Sequence, residues 1–251
     1  MSTINILWRS MKWRLHNKFT IVITVLQPML WLVLYSAVAG QTMQGSGIEN
    51  YTAFILPGLI VLVSFSACSS GGIMNYMLKT NGSFYRILIA PIARSSIVLG
   101  QMLEAVLCTF FEVIIMCFAS LFFSVNIASS FVGLLLIALI VFLTAFFISG
   151  ITYWVSLYLP NEVIYETVMN AIVLPIFFLS TALFPADRLS KGLAIAVNLN
   201  PFTHVINVLR SLFLENAIKI ENILLVITML LVMCVGSFAL AVRKLKQEML
   251  E

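Results

Sequence analysis

The sequence predicts an all-α integral membrane protein, a single domain over residues 1–251. Six transmembrane helices are expected, with an amphipathic interfacial helix at 4–19, a short surface helix at 83–90 and a re-entrant helical pair within 184–215. Three observations predict this. Residues are 61% hydrophobic and only 10% charged, with a mean hydropathy of +1.07, whereas about a quarter of a soluble domain is charged. Six apolar stretches, near 20–40, 53–78, 98–123, 131–158, 164–183 and 222–242, match the about 20 residues a helix needs to cross the hydrocarbon core. Two connectors, between spans two and three and before span six, carry helix and turn signals of their own.

The amino-terminal helix comes first. Ile4, Leu7, Trp8, Met11, Leu15 and Phe19 cluster on one face, and Asn5, Arg9, Lys12 and His16 lie outside it, with Trp13 on the far side. A basic helix bearing tryptophans lies along the cytoplasmic interface. The basic region, the apolar stretch and Ala37-Val38-Ala39 together imitate a signal peptide, but the run is span-length rather than about 7–15 residues. An uncleaved first span is expected.

Basic residues set the orientation. Arg9, Lys12, Arg14, Lys18, Lys79, Arg86, Arg94, Arg243, Lys244 and Lys246 face one side of a six-span arrangement, and Arg188, Lys191, Arg210 and Lys219 the other. The richer side, with both termini, is cytoplasmic by the positive-inside rule. Glu162 and Glu166 dissent from that pattern, with no base nearby. The net charge of +4 thus reports topology, and nothing suggests nucleic-acid binding.

Span two contains Ser64, Ser66, Ser69, Ser70, Gly71 and Gly72. Small residues permit close helix approach, so tight packing and a substrate path are both open. The connector that follows has its own architecture. Asn81-Gly82 favours a turn, Ser83 suits a helix start and Pro91 stops one. Between them Phe84, Ile87 and Leu88 repeat at helical spacing beside Tyr85 and Arg86. Such a surface helix suits contact with a soluble partner; a basic loop that merely orients the spans is the alternative.

Span three holds Glu104 and Glu112, about 80° apart on a helix. An ionised group at the bilayer centre costs about 2.5–3.5 kcal/mol on insertion scales, so both need company. Glu104 reaches the interface or pairs with a base such as Lys18 or Arg94. Glu112 lies deeper, paired across helices or facing a polar cavity for a cationic substrate. Phe142, Phe146, Phe147, Phe177 and Phe178 line an apolar cavity or pack as lipid-facing and core residues. Cys68, Cys108, Cys117 and Cys234 all fall within spans, without a CxxC pair or nearby histidine, which predicts apolar packing rather than a metal site.

Residues 184–221 are too apolar for a plain loop. Phe184-Pro185 ends span five, residues 192–197 are too short to cross, Asn198-Leu199-Asn200-Pro201 forms a turn and Thr203 suits a helix cap. Two short helices dipping into the outer leaflet fit, provided protein or water surrounds the turn; a hairpin lying on the surface is the rival. An enzyme is not indicated. The only histidines, His16 and His204, fall on opposite sides, and neither HExxH nor GxSxG occurs. A passive channel, an assembly protein and ATP-dependent uptake remain as other membrane roles.

Two places in this chain resemble the ABC type-2 transporter permease family. One is Gly82, Arg86, Leu88, Pro91, Arg94 and Gly100; the other is Leu183-Phe184-Pro185 followed by Asn198-Leu199-Asn200-Pro201-Phe202-Thr203 and Leu209-Arg210. Where the family usually has acidic residues before the first glycine, this chain has Lys79-Thr80-Asn81. The resemblance implies a multi-pass permease of a bacterial cytoplasmic membrane, acting as a homodimer or with a different permease, and with two ATPase subunits. Residues 83–90 are then the coupling helix, and Ser83, Phe84, Tyr85, Arg86, Ile87, Leu88, Ile89, Pro91 and Arg94 the residues that meet the ATPase. Phe84, Tyr85 and Arg86 are the side chains best suited to anchor that contact. Candidates for the substrate path are Ser66, Ser69, Ser70, Glu112, Phe177 and Phe178, and Phe184, Pro185, Asn200, Pro201 and Arg210 mark the re-entrant segment. No GxxxxGK[ST] occurs, so ATP and magnesium belong to the partner and this chain is expected to bind no cofactor. Outward movement of an amphiphilic small molecule, drug, lipid or peptide is implied, with polysaccharide or lipid-linked glycan export as the alternative.

Overall fold

A computed structural model describes residues 3–16, 18–42, 50–123, 125, 129–183, 190–215 and 220–248. Their regular structure is entirely helical: α1 (Thr3–His16), α2 (Lys18–Thr42), α3 (Tyr51–Thr80), α4 (Ser83–Ile89), α5 (Arg94–Leu121), α6 (Phe131–Tyr158), α7 (Glu162–Phe178), α8 (Lys191–Leu199), α9 (Pro201–Arg210), a π-helical turn (Ser211–Glu215) and α10 (Ile220–Gln247).

Among the described residues, α3, α5, α6 and α10 are long and apolar enough to cross a membrane; at 28–30 residues each they are about 42–45 Å long. The pair α8 and α9, bent by 85°, has the geometry of a broken span or a re-entrant loop. The predicted spans at 20–40 and 164–183 fall on α2 and α7. Helix α2 has 25 residues with Pro28 inside it, and its apolar stretch among the described residues is Leu26–Ala37. Helix α7 has 17 residues, about 25 Å. Asn161 caps its start by accepting from the Ile164 N–H at 2.9 Å, and the chain turns at Leu179, earlier than the apolar run ends.

Helix α3 is the axis of the bundle. It packs against α2, α5, α6, α7 and α9, and the main apolar core forms around Ile55, Leu59, Ile60 and Cys68. Asn50 caps it, accepting from the Ala53 N–H at 3.1 Å. A second, smaller core lies at the end assigned above to the cytoplasm. It joins Ile6 of α1, Phe84, Ile87 and Leu88 of α4, Ile97, Val98 and Met102 of α5, Tyr153 and Leu157 of α6, and Ala241 and Leu245 of α10.

Helix α1 turns a different face into the protein from the one its apolar residues mark. The side chains turned into the protein are Ile6, Ser10 and Arg14, while Ile4 (72% exposed) and Trp8 (67%) point outward. Phe19 belongs to α2, and the side chains of Leu15 and His16 lie outside the described set. Taken at 100° per residue, α1 has three faces: Ile6, Ser10 and Arg14 against protein, an exposed apolar face with Ile4 and Trp8, and an exposed polar face with Asn5, Arg9 and Lys12. Gly100 lets α1 approach α5, since a Cβ there would lie 2.9 Å from a methyl carbon of Ile6.

Candidate functional site

The surface helix α4 is built by a left-handed turn. The Asn81 and Gly82 N–H groups bond to the carbonyls of Met77 (3.0 Å) and Lys79 (3.1 Å). Gly82 takes φ +67° with nothing within 4 Å of where a Cβ would stand, so conformation alone demands glycine there. Gly82 occupies the cap position, which places Ser83 inside the helix rather than before it, and no side chain caps that end. Ala90 is extended ahead of Pro91, as the residue before a proline prefers.

Helix α4 divides cleanly. Phe84, Ile87 and Leu88 are buried in the smaller core, whereas Tyr85 (62%), Arg86, Ile89 (84%) and Pro91 are exposed. Phe84 is thus an internal anchor, 4% exposed, and not a surface contact as expected. Its place on the outer face is taken by Ile89. Arg94 is half-buried, and its Nη2 donates to the Leu88 carbonyl at 2.7 Å, so it satisfies the end of α4.

Deeper in, the spans hold a buried ion pair. Glu104 is fully buried, and its Oε1 lies 2.7 Å from Arg14 Nε. Arg14 Nη1 also donates to Ser70 Oγ at 2.8 Å, and Cys108 Sγ lies 3.5 Å from the same Glu104 oxygen. Burial works against the Arg14 charge, and the surrounding groups, Glu104 first with Cys108 and Glu112, together outweigh it and raise the guanidinium's pKa above its ordinary value. Glu104 thus pairs with a base, and that base is Arg14 of α1; the Lys18 side chain lies outside the described set. Lipid cannot solvate the pair, so α1 supplies the missing charge from outside the spans.

The candidate path residues do not converge on one pocket. Ser70 is committed to Arg14, and the Ser69 carbonyl accepts from Tyr165 Oη at 3.1 Å. Ser66 is half-buried, Glu112 is buried in α5, Phe177 lies in the main core and Phe178 points outward. Tyr165 and Phe177 are twelve residues apart on α7, about 18 Å along the helix, so Ser69 and Phe177 stand at different depths.

On the other side the bend between α8 and α9 is pinned by polar side chains. Asn200 Oδ1 accepts from the Phe202 N–H at 3.0 Å, and its Nδ2 donates to the carbonyls of Ile176 (2.7 Å) and Leu179 (2.8 Å). Pro201 opens α9, where its missing N–H costs nothing. Arg210 donates to the carbonyls of Phe54 (3.1 Å) and Thr181 (2.6 Å), with its guanidinium 3.8 Å from the centre of the Phe54 ring. Asn207 Oδ1 accepts from Thr181 Oγ1 at 2.7 Å. Phe184 and Pro185 lie outside the described residues.

A cleft of about 490 Å³ opens beside this junction, lined by His204, Asn207, Arg210, Ser211 and Asn222 with Val208, Leu225 and Val226. The sequence reading missed it, because its walls come from α9, the π-helical turn and α10. Only the polar residues spaced along an apolar segment hinted at it. Among the described residues, no group of three His, Cys, Asp or Glu could hold a metal ion.

Comparison with known proteins bears on the family. The family described as ABC-2 type transporter matches residues 2–214, from α1 to the π-helical turn. A relative from Cyanophora paradoxa is 28% identical over 201 residues, covering 79% of this chain and 69% of its own length. One from Porphyra purpurea is 29% identical over 212 residues, covering 80% and 72%. A third, from Pyropia yezoensis, is 25% identical over 197 residues, covering 77% and 67%. All three bear the provisional name of transport permease ycf38. With a family match over well more than half its length, the chain belongs to the ABC-2 type transporters, as a multi-pass membrane permease of the kind that works with ATPase subunits.

Proposed function

We propose that this permease is the membrane half of an exporter, with two copies of the chain framing the path and two ATPase subunits docked on α4. The observation that carries the reading is the division of α4: an exposed Tyr85, Arg86 and Ile89 above a buried Phe84, Ile87 and Leu88. A helix anchored from below and presenting an aromatic, a cation and an aliphatic side chain suits a partner that must push and pull on it. The chain carries no P-loop, so nucleotide chemistry is borrowed.

In this reading all six predicted spans cross a bacterial cytoplasmic membrane, with α2 and α7 among them, both termini cytoplasmic and α8–α9 re-entrant from outside. ATP-driven closure of the ATPases displaces α4, and the smaller core passes that displacement to α5, α6 and α10, which share it. The cargo is an amphiphilic small molecule, drug, lipid or peptide that enters from the cytoplasm or inner leaflet and leaves outward. Export of a polysaccharide or lipid-linked glycan is the second reading, favoured by the cleft of His204, Asn207, Ser211 and Asn222, whose groups suit hydroxyls.

The test is the reconstituted complex of permease and ATPase carrying Tyr85→Ala and Arg86→Glu together. Loss of an aromatic anchor worth about 2 kcal/mol or more, with a reversed charge beside it, lowers transport and transport-linked ATP hydrolysis while membrane insertion stays normal. A substitution at Lys219, on the opposite side, serves as the control. Unchanged transport and ATPase binding by the double variant would refute the reading of α4 as the coupling helix.

A further inference from the structure

We infer that the last turn of α10 is a positioning element for α4, clasping it through Lys79, and that Glu248 and Leu245 are its working residues. The inference rests on the reading of α4 as the coupling helix and deepens it. Lys79 stands in the last turn of α3, immediately before the turn into α4. Its Nζ lies 3.9 Å from Glu248 Oε2 and 5.3 Å from the centre of the Phe84 ring, so one ammonium touches both the end of α10 and the first turn of α4. Such a cation over an aromatic face is an attractive contact.

Glu248 is held in turn. Its Oε1 lies 3.2 Å from Lys244 Nζ one turn earlier, and that ammonium sits 4.5 Å over the Tyr158 ring at the end of α6. Below these charges Ala241 and Leu245 are fully buried in the same core as Phe84, Ile87 and Leu88. The final turn of α10 is therefore fastened twice, by an apolar plug and by a charged clasp. The basic residues at 79 and 244 each have a carboxylate at 248 to answer them.

A second property gives the clasp a purpose. Helix α10 runs unbroken for 28 residues from Ile220 to Gln247, about 42 Å. Its far end supplies Asn222, Leu225 and Val226 to the polar cleft. An element tied to α4 at one end and to the cleft at the other moves both together if it moves as a rod. The clasp sets the seat of α4 and ties α10 to its motion.

The test uses the full complex in proteoliposomes, with transport measured per ATP hydrolysed. Lys79→Glu and Glu248→Lys each place like charges in contact, and each lowers that ratio roughly two- to five-fold, the range that partly exposed ion pairs carry. ATPase binding and membrane insertion remain at wild-type level. The double exchange Lys79→Glu with Glu248→Lys recovers only the share of the ratio that the charge pair carries, because a carboxylate at 79 is not attracted to the Phe84 ring and the ammonium at 248 then faces Lys244. Leu245→Ala, which empties the apolar plug, lowers the ratio with both charges intact. Single exchanges at the wild-type ratio, or a double exchange no better than the singles, would overturn the inference. The coupling role of α4 fails separately, through the Tyr85→Ala/Arg86→Glu variant behaving as wild type.

Discussion

Removing Arg14 is the sharpest perturbation of this fold. Arg14→Ala leaves the fully buried carboxylate of Glu104 without its counter-charge and frees Ser70 Oγ of a charged donor. Breaking a buried pair from one side costs about 3–5 kcal/mol, because the surviving charge has neither water nor partner. Among the described apolar side chains of α1, Ile6 at Gly100 is the buried one, while Ile4 and Trp8 face outward. A loss of that size exceeds the burial of one isoleucine, about 1.5–3 kcal/mol, so α1 loosens from α5.

Ser10, which is 3% exposed, reports the event. A Ser10→Cys label stays shielded from a water-soluble maleimide while α1 is docked and reacts once Arg14→Ala releases it, with a matching fall in Tm. The combined change Arg14→Met and Glu104→Met removes both charges and restores protection, since an apolar pair of similar volume is about neutral or better. If Arg14→Ala left the label shielded and the Tm unchanged, the ion pair would not be what docks α1. Failure of the double methionine variant to recover would refute the electrostatic cause.

Two further outcomes follow from the same geometry. Phe84→Ala empties a site at 4% exposure and costs about 3–5 kcal/mol; it lowers the thermal stability of the isolated permease, where a surface contact would leave that stability unchanged. Arg210→Lys keeps the charge but cannot bridge the Phe54 and Thr181 carbonyls while stacking on the Phe54 ring. It costs about 1.5–3 kcal/mol for each charged hydrogen bond lost, read as a lower Tm and as faster amide exchange in α9.

The apolar runs, the Asn-Gly turn before α4, the proline stop after it and the polar bend at Asn200 were all legible in the sequence, because each is local. Span length answers to bilayer thickness, Gly82 to its own φ, and Asn200 to the backbone donors beside it. Membership in a transporter family was legible for the same reason, since its marks lie on these local turns. What surrounds each face was not. In a membrane both lipid and protein interior accept apolar side chains, so hydrophobic periodicity marks Ile4 and Trp8 without telling that Ile6, Ser10 and Arg14 are the residues turned inward. The partner of Glu104 came from a helix ninety residues earlier in the chain, and the cleft at His204 and Asn222 from three elements meeting. Phe84 offered an aromatic suited equally to a partner surface or to a core, and the docking of α5, α6 and α10 around α4 decided for the core. Local chemistry is written in neighbouring residues; the solvent of each face is chosen only when the helices pack.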